Sequence, residues 1–177
     1  VVDEARPQPQ RDRKSRASQP STSVIIPCRN ESGHNRLRFA VLKTLERALH
    51  GSNLADEVFA DGMMVPIEPH TAYEPGALLR LGPVLSNDQV IVVDPVIVAE
   101  VLSPAMAHTD TSAKLIGYFK LASVEHYLVI DPDARTLTRH ARATAGALSS
   151  ATLASGVLGL QPPGLEIDVG GLFADVA

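Results

Sequence analysis

The sequence is poor in cysteine, aromatic residues and long apolar runs, and each shortage excludes a class of protein. Its 177 residues include one cysteine, Cys28, and no tryptophan, and 4% of them are aromatic. A single thiol cannot build an internal disulfide framework, and it fits the reducing cytoplasm, where we expect the protein to be. Without placed partners, Cys28 is best interpreted as an incidental thiol. No apolar stretch reaches the roughly 18 residues that span a bilayer, so we expect no membrane contact.

Positive charge is also scarce. The chain has 16 Lys and Arg against 20 Asp and Glu, which gives a net charge of -4. It therefore lacks the overall basic field of many nucleic-acid-binding proteins, and any contact with DNA would have to come from a local basic face. The candidates for such contacts lie on the first predicted helix, where a solvated helix face explains them as well: Arg36, Arg38, Lys43 and Arg47.

The length and the residue patterns predict one mixed domain. A chain of 177 residues can build one good core. Residues 1–23 are rich in charge, Pro, Gln and Ser, which predicts a poorly ordered leader, and residues 24–177 form the domain. Spacing of three and four predicts helices over residues 35–49 and from 109 or 110 to 121, with a closing helical turn after 171. Strands are predicted at 24–27, on either side of Asp61-Gly62 within 56–68, at 72–82, at 90–102 with a break near Asp94-Pro95, and at 125–131, 135–142, 146–156 and 164–169.

One carboxylate is out of place in this pattern. Glu100 lies inside "VIVAEVL", which otherwise is a buried strand. Burying an ionised carboxylate is unfavourable unless a cation, a metal ion or a hydrogen-bond donor meets it. Asp94 lies just before this run and Glu74 before the preceding strand, and three converging carboxylates would suit Mg²⁺, which prefers oxygen ligands. A salt bridge from Glu100 to a helix lysine, with no chemistry attached, is the simpler alternative.

Several segments share one family resemblance. "HNRLRFAVLKTLERAL", "YEPGALL", "VAEVLSP", "DTSAKLIGY" and "VEHYLVIDP" resemble the Uma family of restriction endonucleases, within the PD-(D/E)XK nuclease superfamily. The resemblance runs from about His34 to Phe173. It implies an α/β, restriction-endonuclease-like fold with a central mixed sheet flanked by helices. It also implies Mg²⁺-dependent hydrolysis of DNA phosphodiester bonds, with Mn²⁺ as a substitute metal.

The resemblance assigns roles to particular residues. Glu100 would be a metal ligand on its strand. The superfamily's usual lysine position holds Leu102, so the resemblance implies that Lys114, on the next helix, assists the nucleophilic water. Tyr118 would share the helix face of Lys114 and support it. His34 matches a family position that faces the site, although a helix cap or a surface histidine explains it equally well.

One departure from the family pattern concerns the metal site. The family's first acid follows a proline, but here Pro75 is followed by Gly76, which has no carboxylate. Glu74 would share that strand face and is the substitute ligand that we predict, although Pro75 constrains its path. Asp61 in "FADGM" matches a recurrent family acid and is a further candidate metal ligand, or simply a turn residue.

Gly76 leaves two other functions open. One is an inactive family member that binds nucleic acid or protein, and the other is a plain interaction domain, with a homodimer as one form. The nuclease hypothesis requires that Glu100 and Lys114 point into a common cleft open to solvent. Four further residues have ordinary structural interpretations as turn, strand-end or half-buried residues: Asp94, Ser103, His108 and His126.

Overall fold

The computed structural model describes residues 32–50, 56–103, 108–143 and 146–174. Helices in these ranges are α1 (Ser32–His50), α2 (His108–Tyr118) and α3 (Val169–Ala174). Strands in these ranges are β1 (Asp56–Ala60), β2 (Val65–Glu68), β3 (Thr71–Tyr73), β4 (Ala77–Leu81), β5 (Pro95–Val101), β6 (His126–Asp131), β7 (Thr136–Arg142), β8 (Leu148–Leu153), β9 (Val157–Leu160) and β10 (Leu165–Asp168). The predicted leader, Cys28 and the strand predicted at 24–27 lie outside the described residues.

Six strands form the central sheet, in the order β1-β4-β5-β6-β7-β8. Strands β5 and β6 are parallel, and every other neighbouring pair in this sheet is antiparallel. Parallel strands need a crossover, and α2 lies in the connection between β5 and β6. Two small antiparallel pairs, β2 with β3 and β9 with β10, stand beside the sheet. The predicted α/β domain with a central mixed sheet flanked by helices is confirmed.

The two faces of the sheet have separate apolar clusters. Leu37, Val41 and Leu45 of α1 pack with α3 and with Ile97 and Ala99 of β5 on one face. Tyr118 of α2 packs with Val98 of β5 and Tyr127 of β6 on the other. Because successive side chains of a strand point to opposite faces, Val98 and Glu100 both face α2. The strand therefore directs Glu100 toward the helix that follows it.

The predicted break at Asp94-Pro95 is confirmed, since β5 begins at Pro95. Asp94 accepts a hydrogen bond of 3.2 Å from Nε of Arg80, and Glu57 accepts one of 2.9 Å from Nη1. Arg80 is buried, and its hydrogen bond to Asp94 is the main cause that raises the pKa of Arg80. Asp94 thus compensates a buried cation at the far end of β4, in keeping with its structural interpretation.

Some pairings differ from the sequence-based expectations. The stretch 56–68 is strand, turn and strand as predicted, but β1 pairs with β4 and β2 pairs with β3. The stretch predicted as one strand at 72–82 is divided between β3 and β4. Strand β9 was not predicted at all, because "VLGL" is short and contains a glycine. None of the described helices is long and apolar enough to cross a membrane.

Candidate active site around Glu100

Glu100 lies near the carboxyl end of β5, between the sheet and α2, and is 6% exposed. Its Oε1 accepts a hydrogen bond of 2.9 Å from Nζ of Lys114. The same oxygen accepts one of 3.1 Å from the hydroxyl of Tyr118. Lys114 and Tyr118 are four residues apart, so α2 presents both on the face that meets Glu100. The structure therefore brings together these three predicted site residues in a largely buried arrangement.

Tyr118 is fully buried and remains a neutral donor. Burial and, after it, the charge of Glu100 raise the pKa of Tyr118 well above its ordinary value near 10. Its ring meets that of Tyr73 edge-on at 5.2 Å between centroids and lies 5.1 Å from that of Tyr127. This aromatic row shields Glu100 from solvent on the α2 side of the sheet. As expected, the side chains of Glu100 and Lys114 point toward a common place, but the carboxylate has little access to solvent.

Tyr73 reaches α2 because residue 117 is a glycine. A Cβ at Gly117 would lie 2.5 Å from Cε2 and 2.8 Å from the hydroxyl of Tyr73, which real side chains do not tolerate. The ring of Tyr73, the last residue of β3, therefore rests directly on the backbone of α2. This contact fixes α2, and with it Lys114 and Tyr118, against the sheet.

Ala77 of β4 faces Ala99 of β5, and Leu78 faces Val98. Continuing this antiparallel register by one residue places Gly76 opposite Glu100. A Cβ at Gly76 would lie 3.3 Å from Nε and 3.8 Å from Nη2 of Arg38, and 3.4 Å from the carbonyl oxygen of Ala99. The position that lacks the family's carboxylate is thus filled on one side by a guanidinium from α1.

Asp61 and Glu74 both contribute to holding that guanidinium. Asp61 forms an ion pair with Nη2 of Arg38. Glu74 accepts a hydrogen bond of 2.9 Å from the backbone N–H of Gly62, which fixes the turn next to Asp61. The turn requires a glycine, since φ at Gly62 is +94°. These two predicted metal ligands are therefore used within the protein.

The residues present do not fit a divalent metal ion at this position. Among the described residues, Glu100, Glu74 and Asp61 are not brought together, and no other group of three His, Cys, Asp or Glu could hold a metal ion. Gly76 supplies no side-chain carboxylate, and the adjacent guanidinium of Arg38 offers only N–H donors, which cannot ligate a cation. The carboxylate of Glu100 is bonded to an ammonium group and a phenol.

The remaining predicted residues have structural positions. His34 is buried in the first turns of α1, so the surface alternative is wrong. Ser103 is buried just after β5, and nothing is described of the side chain of His108. His126 is buried, and its Nε2 donates to the carbonyl oxygen of Pro162 at 2.7 Å. Burial lowers the pKa of His126, so it is held neutral.

Sequence reasoning missed the parts of the site that come from distant segments. Arg38 was considered only as a phosphate contact, and Tyr73 was not considered. No local pattern connects residues 38 and 76, because α1 and β4 meet only in the folded chain.

The fold is that of an α/β domain with a central mixed six-stranded sheet flanked by helices. Its fold is similar to that in "Crystal structure of a putative nuclease belonging to DUF820" from Anabaena variabilis, with a TM-score of 0.66. That match covers 84% of each chain at 13% sequence identity, so it concerns the fold alone.

The family of this chain is identified from its sequence. Residues 13–170 match the model of the Uma2 family, which is described as "Putative restriction endonuclease". This chain belongs to that family, as its resemblance predicts. No curated protein sequence matches the chain.

Proposed function

We propose that this member of the Uma2 family binds nucleic acid without hydrolysing it. The observation that carries the proposal is the Gly76 position, which has no carboxylate and lies against the guanidinium of Arg38. Metal-dependent hydrolysis needs a cation that readies a water and stabilises developing charge on phosphate. A single buried carboxylate, already bonded to Lys114 and Tyr118, is a poor site for such a cation.

The outward face of α1 supports a nucleic acid as the partner. Residues at positions 36, 39, 43 and 47 follow a spacing of three and four and share one side of the helix. Arg36, Lys43 and Arg47 line a shallow groove of about 470 Å³ together with Phe39 and Ala40. The three cations span about 16 Å at the 1.5 Å rise of a helix. A row of cations over that distance matches a phosphate backbone better than a neutral protein surface.

An exposed aromatic ring accompanies these cations. Phe39 is 56% exposed, and Nζ of Lys43 lies 4.6 Å from the centre of its ring. Proteins that bind single strands combine a basic groove with aromatic rings on which bases stack. The groove therefore supports contact with both phosphates and unpaired bases.

Fluorescence anisotropy with a labelled oligonucleotide tests the binding. The native chain should bind with a salt-dependent affinity that EDTA leaves unchanged. Replacing Arg36, Lys43 and Arg47 by Gln should reduce the slope of log K against log salt by about 0.7 for each lost contact with single-stranded DNA, or about 0.9 with duplex DNA. Lys120→Gln is the matched control, since Lys120 pairs with Glu68 at a distant, exposed place. Absence of binding at low salt, or equal losses in the triple variant and the control, would refute the proposal.

Mg²⁺-dependent DNA hydrolysis remains the second candidate, because Glu100 and Lys114, the acid and the lysine that the family resemblance implies, lie side by side. Calorimetric titration with Mg²⁺ and with Mn²⁺, together with plasmid nicking, separates the two functions. Stoichiometric metal binding and nicking that are both lost in Glu100→Gln would favour the hydrolase. Their absence in a folded native protein would favour non-cleaving binding. The predicted homodimer is tested in the same samples by light scattering.

A further inference from the structure

We infer that Arg38 is a built-in cation that replaces the divalent metal ion of the site, and that Gly76, Asp61 and Glu74 keep it in place. The inference rests on the proposed function, because it takes the native chain to have no divalent-metal centre. It adds a specific claim: the lost carboxylate and the arginine form one unit, so restoring the carboxylate alone does not restore a metal site.

The first step is the room that glycine leaves. A Cβ at position 76 would lie 3.3 Å from Nε of Arg38, closer than nearly all real Cβ contacts. The backbone at Gly76 is not in the left-handed region, so its conformation does not require glycine. What the glycine provides is space, and the side chain of Arg38 uses it.

The second step is the set of contacts that position the guanidinium. Arg38 comes from α1, on the opposite face of the sheet from α2, and its side chain is 24% exposed. Asp61 pairs with its Nη2, and Glu74 fixes the adjoining turn through the N–H of Gly62. Both acids thus act on the arginine, one directly and one through the backbone.

The third step is electrostatic. An arginine stays charged at any ordinary pH and offers donors only. The Cβ of an aspartate introduced at position 76 would lie 3.8 Å from Nη2 of Arg38, so its carboxylate would be close to the guanidinium. The two groups would form an ion pair, because opposite charges at such a distance attract strongly in a partly buried setting. A divalent cation would then have to displace the guanidinium before it could bind.

Four proteins test the inference by calorimetric titration with Mn²⁺: the native chain, Gly76→Asp, Arg38→Gln/Gly76→Asp and Arg36→Gln/Gly76→Asp. The last is a matched control, because Arg36 lies on the same helix but faces the outer groove. We expect the Arg38→Gln/Gly76→Asp protein to bind Mn²⁺ at least about tenfold more tightly than Gly76→Asp alone. The Arg36 control should bind no better than Gly76→Asp.

Thermal unfolding with and without Mn²⁺ gives a second readout that does not depend on activity. Metal should raise the melting temperature of the Arg38→Gln/Gly76→Asp protein and leave that of Gly76→Asp unchanged. If that double variant does not fold, Asp61→Asn/Gly76→Asp releases the arginine more gently, and we expect it to bind Mn²⁺ more tightly than Gly76→Asp alone.

The outcomes separate this inference from the proposed function. Equal metal affinity in Gly76→Asp with and without Arg38 would overturn the inference, as would folded double variants that bind no metal. Tight Mn²⁺ binding by the native chain that is lost in Glu100→Gln would overturn the proposed function instead. Selective binding by the variants that release or lack Arg38 supports the inference.

Discussion

Removing the ammonium group of Lys114 from its buried pair with Glu100 tests how strongly the stability of the protein depends on this cation. In Lys114→Met the aliphatic part of the side chain is kept, and Glu100 loses its charged partner. The two charges are 2.9 Å apart, and their side chains are 16% and 7% exposed. At an effective dielectric constant of about 20 their gross attraction is on the order of 6 kcal/mol, most of which offsets the desolvation of both groups.

What remains after the mutation is a buried carboxylate bonded to Tyr118. Deleting one partner of a buried pair typically costs about 3–5 kcal/mol, because the other charge is left uncompensated. We expect that loss in the free energy of unfolding of Lys114→Met. Glu100→Gln/Lys114→Met removes both charges and should regain about 2 kcal/mol or more relative to Lys114→Met. This non-additivity is what a direct contact produces.

Urea unfolding followed by far-ultraviolet circular dichroism measures these differences through the midpoint and slope. Lys120→Met is the matched control: Lys120 also pairs with a glutamate, Glu68, but both side chains are about half exposed. Removing an exposed pair should cost no more than about 1 kcal/mol. Equal losses in Lys114→Met and Lys120→Met, or additive effects in the double variant, would refute the account of a buried and coupled pair.

Three further predictions concern packing and pH. Gly117→Ala should destabilise the fold by about 1–3 kcal/mol in urea, since its Cβ meets Tyr73, whereas Gly33→Ala, with open space around it, should not. The folded pKa of Tyr118 is raised, so stability should fall as pH rises above about 10, by up to about 1.4 kcal/mol per unit, and less steeply in Tyr118→Phe. The folded pKa of His126 is lowered, so stability should fall as the pH drops below about 6.5, and it should fall less in His126→Gln. A variant whose stability depends on pH in the same way as that of the native chain would contradict the assignment for that residue.

The central part of the fold could be predicted because its signals are local. The apolar run of β5 ends shortly before the spacing that predicts α2, and the two elements form a crossover to β6. Lys114 and Tyr118 are one helical turn apart, so their common face follows from the sequence. The exception in that run, Glu100, marked the strand face that the helix covers.

The pairings and contacts that sequence reasoning did not find are those between distant segments. Asp61-Gly62 was recognised as a turn, but no local pattern shows that β1 turns away to pair with β4. Glu74 was predicted only as a metal ligand, and its hydrogen bond from the N–H of Gly62 was not foreseen. The sequence shows that Gly76 lacks a carboxylate, but the group that takes its place arrives from α1, more than thirty residues earlier.

The two candidate functions place opposite demands on these ion pairs. For a divalent cation to bind here, Glu100 would have to turn from Lys114, and the carboxylate of Asp61 from Arg38. The affinity for metal is then lowered by the free energy of the contacts that are lost, whereas contact of phosphates with the outer face of α1 leaves these two ion pairs in place. DNA binding that EDTA does not affect, but that weakens steeply as the salt concentration rises, would therefore indicate that the protein itself supplies the cations. Binding that requires Mg²⁺ would mean that the buried pairs open when nucleic acid arrives.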